Sequence, residues 1–135
     1  MLEVYSLQLD VAEGAAIPLN NVSIQKGCTA VHSAPATIQL NKCGVYMVSL
    51  DASAEADEAG DIVIQMTKNG VLQPQAQSTA TGAVGEIDTL SFVTLVQVNE
   101  NNSPCCCSSP TLLQFMNTGV GVTYPNVNVC VTKIC

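Results

Sequence analysis

Apolar residues in this 135-residue chain recur at every second position. Successive side chains of a strand point to opposite faces, so this period marks ribbons with one buried face. Leu7, Leu9 and Val11 alternate with Gln8 and Asp10, and the same beat runs through Ile62, Ile64 and Met66. It returns in Leu90, Phe92, Thr94, Val96 and Val98, and in Val127, Val129 and Val131. Turn signals separate these runs: "NKCG" at 41–44, "KNG" at 68–70, "ATGAVGE" at 80–86, "NENNSP" at 99–104, "NTGVG" at 117–121 and "YPN" at 124–126. Asn69-Gly70, between Ile62–Thr67 and Val71–Leu72, is the strongest, because both residues accept the positive φ of a tight hairpin. "DASAEADEAG" has no apolar stripe and reads as a loop, "EADEAGD" at 55–61, leaving a strand at 44–52. About eight short strands with frequent turns predict an all-β antiparallel sandwich or barrel, one domain over residues 1–135.

Composition narrows the partners. With 47% hydrophobic and 11% charged residues the chain belongs with compact globular proteins. Four Lys, no Arg and eleven carboxylates give a net charge of −7, which argues against nucleic acid, since phosphate binding needs clustered cations. No apolar run approaches the ~20 residues of a membrane-spanning helix, so no membrane insertion is expected. "MLEVYSLQLD" has neither the basic nor the apolar region of a signal peptide, which reads as a soluble protein made in the cytoplasm.

The order of motifs then resembles a known family. "VAEGAAIPLNN", "IQL", "CGVYMVSLDASAEA", "GDIVIQMTKNGVLQP" and "PNVNVCVTKI", spanning Leu9 to Ile134, resemble the bacterial and phage branch of the tumour necrosis factor and complement globular-head superfamily. The likeness is to the C-terminal heads of collagen-like exosporium glycoproteins and to phage head-fibre or capsid-decorating proteins. It implies a jelly roll of about ten strands forming a homotrimer. Strands 44–50 and 90–98 are apolar on both faces, Val45 and Met47 opposite Tyr46 and Val48, Val93 and Leu95 opposite Phe92 and Val96. A sheet apolar on both sides needs a second cover, and a neighbouring subunit would supply it. The trimer interface is expected at Tyr46, Val48, Phe92, Val96 and Phe115. No Gly-X-Y tract is present, so the chain reads as either a stand-alone trimer or an excised head, and the stand-alone form favours a protein that decorates a particle or binds something over a filament tip. The expected role is structural and non-enzymatic, on a virion or on a spore or cell surface, with a capsid or coat lattice as partner. Residues Met1 to Leu9 form the expected attachment arm. The alternative is an adhesin head for surface glycans or a receptor.

Seven cysteines are many for this length. Cys28, Cys43, Cys130 and Cys135 are scattered and read as small apolar fillers of a reducing interior, with Cys130 on the face opposite Val127, Val129 and Val131. Cys105, Cys106 and Cys107, fenced by Pro104 and Pro110, read as a stiff surface turn between strands 87–98 and 111–116. Two sharper readings stay open there, an interchain disulfide and a zinc site shared between subunits.

Other chemistry is sparse. His32 is the single histidine, so a Cys–His pair has one base to draw on, and catalysis is not expected. The carboxylates Asp51, Glu55, Asp57, Glu58 and Asp61 could be paired as in a glycosidase, but they crowd one loop in a chain without Trp. Asp57, Glu58 and Asp61 around Gly60 are the candidate cation site, with calcium the one cofactor considered and none expected.

Overall fold

The computed structural model describes residues 1–27, 29–98 and 111–134. Ten strands run in order: β1 (Leu2–Val11), β2 (Asn21–Gln25), β3 (Ala30–Ala34), β4 (Thr37–Leu40), β5 (Gly44–Ala56), β6 (Gly60–Lys68), β7 (Val71–Gly82), β8 (Ile87–Val98), β9 (Thr111–Asn117) and β10 (Val122–Lys133). They form two five-stranded antiparallel sheets, β2-β1-β10-β5-β8 and β3-β4-β9-β6-β7. The two inner faces close over one core, a jelly-roll sandwich as the sequence predicts.

Alternation explains the core directly. Tyr46, Val48 and Leu50 of β5, Val127, Val129 and Val131 of β10, and Ile62, Ile64 and Met66 of β6 are all buried, each spaced by two. Phe92 leans on Phe115 across the sandwich with ring centroids 6.2 Å apart, a tilted pair that adds modestly to its buried area. Tyr46 keeps its hydroxyl satisfied by donating to the Lys42 carbonyl (2.6 Å). Tyr124 does not: its hydroxyl is buried with no partner among the described residues. Burial also pushes that phenol far above its ordinary range. An unpaired buried hydroxyl costs stability, so Tyr124→Phe is expected to raise the folding free energy by about 1 kcal/mol in denaturant unfolding.

Two expectations need correction. The loop expected after residue 52 is strand instead: β5 continues through Glu55 and Ala56, because Ala52, Ala54 and Ala56 continue the buried face with small side chains that mimic no apolar stripe. The "YPN" turn lies inside β10. Proline is unusual in a central strand because it lacks an N–H for the ladder. Here the ladder yields on both sides: the β10–β5 register shifts between Thr123 and Asn126, and on β1 Gln8, between the paired Leu7 and Leu9, takes a φ of 55°. The expected attachment segment, Met1 to Leu9, is built into the sheet as most of β1. β1 lies between β2 and β10 with Leu2 and Val4 wholly buried, so freeing it would open the core.

The hairpin at Asn69-Gly70 is as the sequence predicts, with φ of 51° and 84°. Its tip is fastened to β9 twice, since Asn69 N–H donates to the Leu112 carbonyl (2.8 Å) and Asn69 Oδ1 accepts from Leu112 N–H (2.9 Å). At the opposite end of the sandwich sits Asn117, fully buried. Its Nδ2 reaches the carbonyls of Val11 (3.2 Å), Ala12 (3.3 Å) and Val120 (2.9 Å), and its Oδ1 accepts from Gly119 N–H (3.3 Å). Gly119 is required there by space, because a Cβ would collide with the Asp61 carbonyl.

Candidate functional site

The outer face of the β1-β10-β5-β8 sheet divides into two ends. At one end Val45 and Met47 of β5 stand beside Leu95 and Val93 of β8, with Met47 opposite Leu95 and Ser49 opposite Val93. Ile134, just past β10, joins them by donating its N–H to the Val45 carbonyl (2.8 Å). Val93 is 66% exposed and Leu95 57%, both on the edge strand β8, and Met47 is 41% exposed on the adjoining β5. A contiguous apolar band of this kind on an outer face marks an interaction surface.

At the other end the same strands turn polar. The register places Asn128 opposite both Tyr5 and Asp51, and Asn126 opposite both Leu7 and Ser53, while Ser53 faces Thr89 on β8. Asp51, Ser53, Thr89, Asn126 and Asn128 line a shallow depression of about 210 Å³, floored by Ala52. It adjoins the register shift between Thr123 and Asn126, where β10 carries one residue more than β5.

The expected interface residues lie elsewhere. Tyr46, Val48, Val96 and Phe115 are buried between the sheets of a single chain, and Phe92 is half-buried against Phe115. The chain's own core covers them, and it is their strand neighbours Val45, Met47, Val93 and Leu95 that face outward. Asp57 and Glu58 are exposed in the β5–β6 turn and Asp61 is exposed on β6. Thr123 Oγ1 ties Asp57 (3.2 Å) to Asp10 (2.7 Å), and among the described residues no three His, Cys, Asp or Glu side chains are grouped to hold a metal ion. His32 Nε2 lies 3.3 Å from the Pro35 carbonyl.

Of the cysteines, Cys28, Cys105, Cys106, Cys107 and Cys135 lie outside the described residues. Cys43 is disulfide-bonded, which corrects its reading as a filler of a reducing interior. Cys130 is a free, half-buried thiol on the outer face, opposite in phase to Val129 and Val131 as the spacing predicts. It donates to Glu3 Oε2 (3.1 Å), while Ser23 Oγ donates to Glu3 Oε1 (2.6 Å). Those two donors, Ser23 first, hold the Glu3 carboxyl below the usual carboxylate range. Burial first, then the hydrogen bond to Glu3 and that carboxylate's charge, push the Cys130 thiol up to about 11. Because the thiolate is the nucleophile, Cys130 should alkylate on the order of a hundredfold more slowly than an ordinary cysteine at pH 8. Glu3→Gln is expected to speed it, as read by mass spectrometry of the Cys130 peptide after timed labelling of the folded protein.

Sequence reasoning saw both apolar faces of β5 and β8 but missed the polar depression. The signal was present as a second period-two pattern, Asp51 and Ser53, Thr89 and Ser91, Asn126 and Asn128, each out of phase with the core residues. The bulge beside them, between Thr123 and Asn126, had no sequence mark beyond "YPN".

Strand order, pairing and the two-sheet closure define a jelly roll, the fold shared with solved complement globular-head and tumour necrosis factor structures. Among solved structures, the globular domain of zebrafish complement 1qA protein is similar over 96% of this chain and 94% of its own, with a TM-score of 0.66 at 8% identity. Eiger TNF from S. frugiperda matches over 98% and 92% with a TM-score of 0.66 at 6% identity. PRD1 vertex protein P5 matches over 99% and 96% with a TM-score of 0.62 at 16% identity. No family model matches the chain, and no curated protein matches its sequence. Identities this low establish the fold and leave function to the surface chemistry.

Proposed function

We propose that this chain is a non-enzymatic structural protein that self-associates as a trimer and decorates a particle surface, a phage capsid or head fibre in the first instance. The observation that carries the reading is the outward band of Val93, Leu95 and Met47 at the β8 edge. An antiparallel sheet with one wet face normally alternates apolar with polar, as this one does at Asp51 and Ser53. At its other end the alternation is abandoned, and a second copy of the chain is the cover that requires no further component.

Three features support the particle surface. One of the similar structures is the PRD1 vertex protein P5. A disulfide at Cys43 suits a protein that meets an oxidising environment. The net charge of −7 keeps the remaining surface soluble. Light scattering on the purified protein at micromolar concentration is expected to give the mass of three chains, and a stable 14.1 kDa particle would overturn self-association.

A further inference from the structure

The polar depression lies on the same outer face as the apolar band, at the other end of the sheet. Its five polar side chains come from three adjacent strands: Asp51 and Ser53 from β5, Thr89 from β8, Asn126 and Asn128 from β10. Asp51, Thr89 and Asn126 are exposed, while Ser53 and Asn128 are half-buried. The side chains of Asp51, Ser53, Thr89 and Asn126 make no hydrogen bond to another described group, and Asn128 engages only the neighbouring Cys130 and Glu3. Their donors and acceptors therefore point at solvent or a ligand.

The chemistry of the set selects the ligand class. One carboxylate and no cationic side chain among the lining groups disfavour an anion. A calcium ion takes six to eight oxygens and ordinarily several carboxylates, against a single one here. What remains is a carboxylate that accepts from two hydroxyls, two carboxamides that both donate and accept, and two hydroxyls that do the same. That inventory complements a neutral polyhydroxylated ring. Beyond the rim, Tyr5 and Leu7 of β1 sit next to Asn128 and Asn126 on the same face, Leu7 57% exposed. An aromatic ring and an aliphatic side chain there offer a surface for the C–H face of a sugar.

We infer that the depression on the outer face of β10, β5 and β8 is a binding site for a neutral saccharide, with Asp51 and Asn126 as its principal hydrogen-bonding groups. The site is complete within one chain, and so stands or falls independently of the trimer.

The test is protein-observed NMR titration of the full chain with glucose, galactose, mannose and N-acetylglucosamine in turn. At least one is expected to shift amide resonances confined to residues 51–53, 89 and 126–128, with a dissociation constant on the order of 1 mM as befits a shallow site. Asp51→Asn and Asn126→Ala should each weaken that binding at least tenfold with circular dichroism unchanged. If either fails to fold, Thr89→Val, an exposed position, replaces it. Repeating the titration on a chain made monomeric by Val93→Lys and Leu95→Lys separates the two readings, because binding should persist there. No shifts with any of the four sugars, shifts located elsewhere, binding indifferent to the substitutions, or shifts at these amides with calcium alone would each overturn the inference.

Discussion

Asn117→Ala is expected to lower the folding free energy by roughly 3 kcal/mol, the largest single-residue loss predicted from the polar groups of this fold. Asn117 is the last residue of β9 and lies wholly inside, where its carboxamide joins the carbonyls ending β1 to the turn that enters β10. Truncation removes the donor for Val11 and Val120 together and the acceptor for Gly119 N–H. Each buried group left unpaired costs about 1–3 kcal/mol, and water has little room to replace the amide. The midpoint of urea unfolding should fall with little change in slope. Asn117→Asp should be worse than its near-identical shape suggests, because a carboxylate would face three carbonyl oxygens with no proton to offer them. A loss below about 1 kcal/mol for Asn117→Ala would show that this junction is open to solvent.

The second large effect is on assembly. Val93→Lys combined with Leu95→Lys should convert the self-associated protein into monomers at micromolar concentration. Fully burying side chains of this size is worth about 1.5–3 kcal/mol each, and lysine at both positions forfeits that gain and adds the cost of desolvating charge. The dissociation constant of each contact should rise at least about a hundredfold, equivalent to ~3 kcal/mol. Thr79→Lys with Thr81→Lys is the matched control, since both residues are exposed on β7 in the other sheet and the change in net charge is identical. Sedimentation or light scattering distinguishes the outcomes: loss of assembly in the first pair alone supports the band as the contact, and loss in both pairs points to net charge instead.

Particular residues show how far the sequence could be read. The start of β8 at Ile87 is placed correctly, because the turn residues of "ATGAVGE" precede it and Leu90, Phe92, Thr94, Val96 and Val98 keep one inward phase. β2 left no trace: all five of its side chains are exposed, so burial imposes no pattern on Asn21–Gln25. The β5 face assignment failed for a related reason. Where Val45 and Met47 are as apolar as Tyr46 and Val48, period two announces two greasy faces without saying which meets the opposite sheet. That choice depends on which strands lie alongside, and it is fixed by the pairing of β5 with β8 and β10, a matter of long-range register. Pro125 is the converse case, a residue whose local habit is to end strands, retained in a central one by neighbours on both sides that adjust to it.

The position of β1 governs the order in which this molecule can be made. Its register runs from Leu2 against Val131 to Val11 against Val122, so β1 finds its central partner only when β10, more than a hundred residues later, has been made. Until then Leu2 and Val4 have no lid. Closing so distant a pair is slow, and the half-built sandwich exposes an unpaired strand edge in the meantime. The sandwich therefore closes only after β10 has emerged, and its yield at synthesis should respond to temperature and chaperone supply far more than the finished fold's stability does.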